Sequence, residues 1–302
     1  MTTDTNITTA GHLQVLLDPA VTSQDSVDII LVPGIGTIPP KNWPFANTDW
    51  LASLPGSGAK ANVLSYEYSS PLASRNPSWE SILMLGYDLL QNLSDFRSGS
   101  DLDSPILLVC HSLGGLIVKQ ALCVANKQIT RYGSIVNAIA GVIFFSTPHR
   151  YGDGVTSLMR FRDILEATTG RKMKLSKSSV EQEGAVLLDL ADRFEGISFR
   201  SPILSIYELR QTKSGSIPLR WKYQQLVERE ACLTHAPMET VIGLNINHHE
   251  ICLFTKSAGN EGIPELEKFV HDTLNDAMLL VAFRLKDPRC NDEQYSTTMS
   301  GP

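Results

Sequence analysis

Residues 105–123 read Pro-Ile-Leu-Leu-Val-Cys-His-Ser-Leu-Gly-Gly-Leu-Ile-Val-Lys-Gln-Ala-Leu-Cys. An apolar run ends in a tight Ser/Gly turn and a helix-like pattern follows at once, which is the outline of a strand, a sharp turn and a helix. A serine at the apex of such a turn has its hydroxyl lifted clear of the sheet. The next amide and the helix N-terminus then face developing negative charge. Ser112 is therefore the candidate nucleophile. In an elbow of this kind the residues two before and two after the serine approach each other closely and are usually both glycine. Here they are Cys110 and Gly114, and cysteine is small enough for the departure to be tolerated.

A chain of 302 residues with 42% hydrophobic content can bury a large core as one α/β domain carrying an inserted subdomain. The net charge of −6 is mild and no stripe of Lys and Arg forms, so nucleic acid is not an expected partner. Met1 to Ala10 is Thr-rich, with neither a basic start nor an apolar stretch, and no later apolar run has the length of a bilayer span. These features point to an intracellular, cytoplasmic protein, with peripheral membrane contact and oligomeric state left open. The five cysteines (Cys110, Cys123, Cys232, Cys252 and Cys290) show no C-x-x-C spacing, so neither a disulfide framework nor a structural zinc site is expected.

Short β-rich runs alternate with longer helical patterns, the signature of a mostly parallel sheet covered by helices on both faces. Strands are expected at Val27 to Val32, Asn62 to Tyr66, Ile106 to Cys110, Ala140 to Phe145, Ile203 to Tyr207 and Thr240 to Leu244. Trp79 to Phe96 spaces Ile82, Leu85, Leu89 and Leu93 as a crossover helix, and Ile263 to Phe283 reads as a final helix with Pro264 near its entry. Residues 151–200 exceed a plain crossover and hold two helical patterns, Thr156 to Ala167 and Ser179 to Phe194, expected to form a helical cap over the site. The expected organisation is an N-terminal segment over 1–26, the catalytic domain over 27–286, and a polar, disordered tail over 287–302.

A serine hydroxyl is a poor nucleophile at neutral pH and needs a base within hydrogen-bond reach, itself oriented by an acid. In α/β-hydrolases these partners follow in the order Ser, Asp or Glu, His, each after a strand. Glu208 follows the fifth expected strand and is the candidate acid, with Asp153 in reserve and Asp189 and Asp192 as weaker choices. His248 follows the sixth strand after a short loop and is the candidate base, with His249 as the fallback. A His-His-Glu run without a second cluster does not make a metal site, and no cofactor is expected. The amides of Leu113, after the nucleophile, and of Ile35, in the Pro33-Gly34-Ile35-Gly36 loop, are placed to bind an oxyanion. Gly34 and Gly36 let that loop turn tightly beside the substrate.

Cys110-His-Ser-Leu-Gly-Gly115, together with Gly141-Val-Ile-Phe-Phe-Ser-Thr-Pro-His-Arg150, resembles the lipase-like serine esterase domain of serine-active-site-containing proteins and of many fungal NACHT and ankyrin-repeat proteins. The similarity extends over about Val27 to Phe254. In that family an oxyanion loop of His-Gly-Leu-Gly is followed by a tryptophan, which implies a substrate-binding role for Trp43 with Gly34 and Gly36. A Tyr-Glu or Phe-Glu strand end matches Glu208, and an Asp-His before Cys-x-Phe matches Asn247-His248 with Cys252 and Phe254, favouring His248 over His249. The chain departs from the pattern at Pro33, in place of histidine, and at Tyr151, in place of glycine. His149 is implied to be structural.

Together these features imply a serine hydrolase that cleaves a carboxylic ester of a lipid-like or other apolar acyl compound through an acyl-enzyme. A second reading is a biosynthetic enzyme that releases, transfers or cyclises a polyketide-type acyl intermediate. A third is a signalling or binding module that keeps the fold, against which the intact serine, acid and base argue.

Overall fold

The computed structural model describes residues 11–17, 26–54, 60–69, 79–98, 104–172, 177–197, 201–214, 222–254 and 261–286. All six expected strands are present: β2 (Ser26–Val32), β3 (Lys60–Tyr68), β4 (Ile106–His111), β5 (Ile139–Phe145), β6 (Ile203–Glu208) and β9 (Glu239–Leu244). With β1 (Gly11–Leu17) they form a seven-stranded sheet in the order β1-β3-β2-β4-β5-β6-β9, antiparallel only between β1 and β3. β1 lies in what the sequence suggested was only an N-terminal segment. A two-stranded antiparallel ribbon, β7 (Thr212–Ser214) with β8 (Lys222–Gln224), follows β6. The expected tail at 287–302 lies outside the described residues.

The central strands β2, β4 and β5 are buried along their whole length, and apart from Ser26 and Asp28 on β2 and His111 at the end of β4 their residues are apolar or glycine. Their period of two divides the core into two layers. Ile30, Val32, Leu108, Cys110, Val142 and Phe144 face α2 (Glu80–Arg97), α3 (Gly114–Lys127) and α4 (Ile129–Ala138). The alternate residues Ile29, Leu31, Leu107, Val109, Ile143 and Phe145 face α7 (Ile263–Lys286) and the segment that ends in α1 (Thr48–Ser53). Burying each such side chain contributes about 1.5–3 kcal/mol before chain entropy is set against it. The insertion folds as α5 (Gly154–Thr169) and α6 (Lys177–Glu195), and α6 packs against α3. No helix among the described residues is long and apolar enough to cross a membrane.

One buried ion pair pins the end of the sheet away from the site. Asp28 on β2 meets Arg97 at the end of α2 at 2.7 Å and accepts from Asn62 on β3 at 2.9 Å, while Arg97 also donates to the Ser104 carbonyl at 2.8 Å. Burial pushes the Asp28 carboxyl up, and Asn62 and Arg97 only partly offset this. Removing the cation strands a buried carboxylate. Arg97→Met is expected to cost about 3–5 kcal/mol, read as a lowered urea midpoint at unchanged m-value.

Candidate active site

β4 delivers its C-terminus into the centre of the sheet, and the chain turns into α3 through Ser112, whose φ of 50° is rare for a residue with a side chain. The strain is held in place by its neighbours. The Ser112 amide donates to the Phe145 carbonyl at 2.8 Å, continuing the β4–β5 ladder, and the Gly115 amide donates to the Ser112 carbonyl at 3.1 Å to start the helix. Gly114 is required by close approach: a Cβ there would stand 2.4 Å from the Pro33 carbonyl oxygen and 2.5 Å from that of Val32. Cys110 lies fully buried in the layer under α3, so its side chain is absorbed by packing where a glycine is usual.

Ser112, His248 and Glu208 come together at the C-terminal ends of β4, β9 and β6. The Ser112 hydroxyl lies 2.9 Å from His248 Nε2, and His248 Nδ1 lies 2.9 Å from Glu208 Oε2. A carboxylate only accepts, so Nδ1 carries the proton and Nε2 is left as the acceptor for the serine O–H. The other carboxylate oxygen, Oε1, accepts from the amides of Leu226 at 2.7 Å and Val227 at 2.9 Å. All three side chains are enclosed, with relative exposures of 1% for Ser112 and 0% for His248 and Glu208.

Burial raises the Glu208 carboxyl, but the charge of His248 and the hydrogen bonds from His248 and the Val227 amide outweigh it and hold the group below its ordinary value of 4.5. As pH falls below that value, the unfolded chain takes up this proton before the folded one does. The stability contributed by Glu208 is therefore present above the ordinary value and lost as pH falls through the lowered one. The wild-type melting temperature should fall more steeply between about pH 5 and about pH 3 than that of Glu208→Gln, measured by circular dichroism.

The loop after β2 supplies the second candidate oxyanion donor. Thr37 closes a turn by donating its amide and hydroxyl to the Gly34 carbonyl (3.4 and 2.8 Å), and Gly36 sits at φ +70°. The loop packs directly on the nucleophile, since a Cβ on Gly34 would be 2.9 Å from the Ser112 Cβ. Among the described residues the amides of Leu113 and Ile35 donate to no backbone carbonyl, and they remain the candidate oxyanion donors.

Residues 26–158 match the family model described as "Putative serine esterase (DUF676)". Over this segment the chain is similar to a serine esterase domain, and its fold is that of the α/β-hydrolases. Protein SERAC1 of Bos taurus is 36% identical to this chain over 91 residues, 29% of this chain and 13% of that protein. Protein SERAC1 of Mus musculus is 32% identical over 111 residues, 35% of this chain and 15% of that one. The match thus spans only a small part of these relatives' length. Among solved structures, the Bacillus licheniformis lipase BlEst2 shares the fold at 14% identity, covering 86% of this chain and 98% of that one with a TM-score of 0.54.

The other residues singled out in the sequence lie outside the Ser112–His248–Glu208 chain, His149 and the disfavoured His249 as expected and Trp43 against expectation. Trp43, expected at the substrate, is 2% exposed and stands edge-on to His111 with ring centroids 6.3 Å apart, so it braces the residue before Ser112 from within the core. Asp153, the reserve acid, is exposed and caps α5 by accepting from the Thr156 amide at 2.7 Å, while Asp189 and Asp192 pair with Arg193 and Arg150. His249 is a ring neighbour of His248 at 6.3 Å and does not meet the serine. His149 is buried edge-on to Phe144, outside the Ser112–His248–Glu208 chain.

Two residues not singled out beforehand fix the backbone of His248. The His248 amide donates to Thr212 Oγ1 at 2.9 Å, and His111 Nε2–H donates to the His248 carbonyl at 3.0 Å. Burial holds the His111 ring well below the usual imidazole range, so it serves as a neutral donor.

Proposed function

We propose that the domain hydrolyses a carboxylic ester of an apolar acyl compound, with Ser112 as nucleophile, His248 as general base and Glu208 as the acid that orients it. The observation that carries this reading is the continuous pair of 2.9 Å contacts from Ser112 Oγ to His248 to Glu208 at the apex of the elbow. Ser112 Oγ attacks the ester carbonyl as His248 Nε2 takes its proton, and the oxyanion is bound by the Leu113 and Ile35 amides. Collapse expels the alcohol with the proton from His248. Water then attacks the acyl-enzyme by the same path, restoring the free serine and releasing the acid. A groove of about 300 Å³ lined mainly by Pro33, Ile35, Ile38, Pro39 and Tyr68, with Glu67 at its side, runs along the loop that packs on Ser112 through Gly34 and offers a mostly apolar seat for an acyl chain.

The enclosure of Ser112 requires a covering element to move before substrate enters. The end of α5 is the candidate, because the Thr168 carbonyl lies against Gly36, 2.9 Å from where a Cβ would be. This supports the cap role of α5 and α6. The same enclosure favours a second reading, in which an alcohol or amine takes the acyl group in place of water.

A fluorescent fluorophosphonate and a panel of p-nitrophenyl esters of increasing acyl length test the proposal. Stoichiometric labelling with turnover of the longer esters is expected. A folded protein that takes no probe at any pH would overturn it, and product analysis with an added alcohol distinguishes hydrolysis from transfer.

A further inference from the structure

The seat of Glu208 is gripped from the side opposite the triad by the cap. Leu226 and Val227 give their amides to Glu208 Oε1, and the Leu226 carbonyl accepts the Tyr151 hydroxyl at 2.8 Å. The Leu226 C=O and the Val227 N–H belong to one rigid, planar peptide unit and point in opposite directions. Tyr151 and Glu208 therefore hold the same peptide plane from its two ends. A hydrogen bond lost at the carbonyl frees the plane to rotate and withdraws the amide from the carboxylate.

Tyr151 is in turn anchored to α5. Its ring is buried, 8% exposed, against Phe161 at 5.9 Å, and its amide and carbonyl both bond the Ser157 hydroxyl in the first helical turn, at 3.1 and 3.3 Å. Further along α5, Arg160 pairs with Glu228, the residue that follows the gripped peptide, and its guanidinium stands 5.6 Å from the Tyr151 ring. Residues 226–228 are thus held at two points, a neutral one through Tyr151 anchored at the start of α5 and a charged one through Arg160 on α5 itself.

We propose that Tyr151 is a positioning residue that, with Arg160, couples the docking of α5 to the placement of Glu208 against His248. The inference rests on the triad reading above. It accounts for the tyrosine that stands where this chain departs from its family's glycine, because the acid is correctly seated only while the cap is in place.

The test compares wild type, Tyr151→Phe and Arg160→Met in p-nitrophenyl butyrate turnover, with active serines counted by fluorophosphonate titration. Tyr151→Phe removes one oxygen and keeps the ring packing. Its kcat per titrated serine is expected to fall roughly tenfold with KM changed less than about twofold, and Arg160→Met to fall by a smaller factor in the same sense. A merely structural tyrosine would lower the number of titratable serines or the melting temperature and leave kcat per serine alone, and that result would overturn the proposal. If Tyr151→Phe does not fold, Arg160→Met, whose side chain is partly exposed, carries the same comparison. A wild type that takes no probe overturns the nucleophile assignment itself. A labelled wild type matched by both variants overturns the coupling and leaves the assignment standing.

Discussion

Ser112→Ala is expected to abolish fluorophosphonate labelling and to lower kcat on a p-nitrophenyl ester by a factor on the order of 10⁵–10⁶, with the fold intact. The loss is this large because no other described group stands where the hydroxyl does: His248 Nε2 lies 2.9 Å from Ser112 Oγ, with the Leu113 and Ile35 amides as the proposed oxyanion donors. Residual turnover would come from those amides and from binding, which still favour attack by water. The variant should fold at least as well as wild type, since it removes a hydroxyl from a buried, strained position. A variant that retains more than about a hundredth of the wild-type rate would show that the nucleophile lies elsewhere.

Glu208→Gln should lower kcat by about 10⁴ with little effect on KM. The two amides that converge on Oε1, from Leu226 and Val227, demand an acceptor at that position. A glutamine satisfies them only by placing its oxygen there, which turns its NH₂ toward His248 Nδ1. The imidazole must then accept at Nδ1 and carry its proton at Nε2, facing Ser112 Oγ with nothing to take a proton into. The seat of the acid thus dictates the wrong tautomer. A rate within tenfold of wild type would mean that Glu208 does not set the tautomer of the base.

The strands and the elbow were legible because their residues carry local signals. β4 and β5 are nearly unbroken apolar runs and β2 becomes one after Asp28, the turn at 111–115 has a serine flanked by small residues, and the candidate acid and base follow in a fixed chain order. Glu208 and His248 could be chosen because each falls just past a recognisable strand. The rest was hidden for identifiable reasons. The Leu226 and Val227 amides that hold Glu208 are main-chain groups with no side-chain signature, and Thr212 contributes one hydroxyl from a three-residue strand. Trp43 is large and apolar, and burial under His111 outweighed its nearness in sequence to the glycine loop. β1 sits at the sheet margin with a register shift between Val15 and Leu17, so the alternation of Leu13, Val15 and Leu17 with His12 and Gln14 runs too briefly to be read as a strand.

That marginal strand has a practical meaning. β1 pairs along β3 from Gly11 opposite Tyr68 to Leu17 opposite Val63, and the Gly11 amide is fastened to Asp88 at 2.8 Å. A polypeptide begun at Val27, where sequence patterning alone starts the domain, would keep Ser112, Glu208 and His248 and expose the hydrogen-bonding margin of a nine-residue strand. Bare margins of that kind recruit other strands. The first strand thus covers the longer margin of β3 with a shorter, register-shifted one, and trimming it is expected to raise the tendency to aggregate before catalysis is touched.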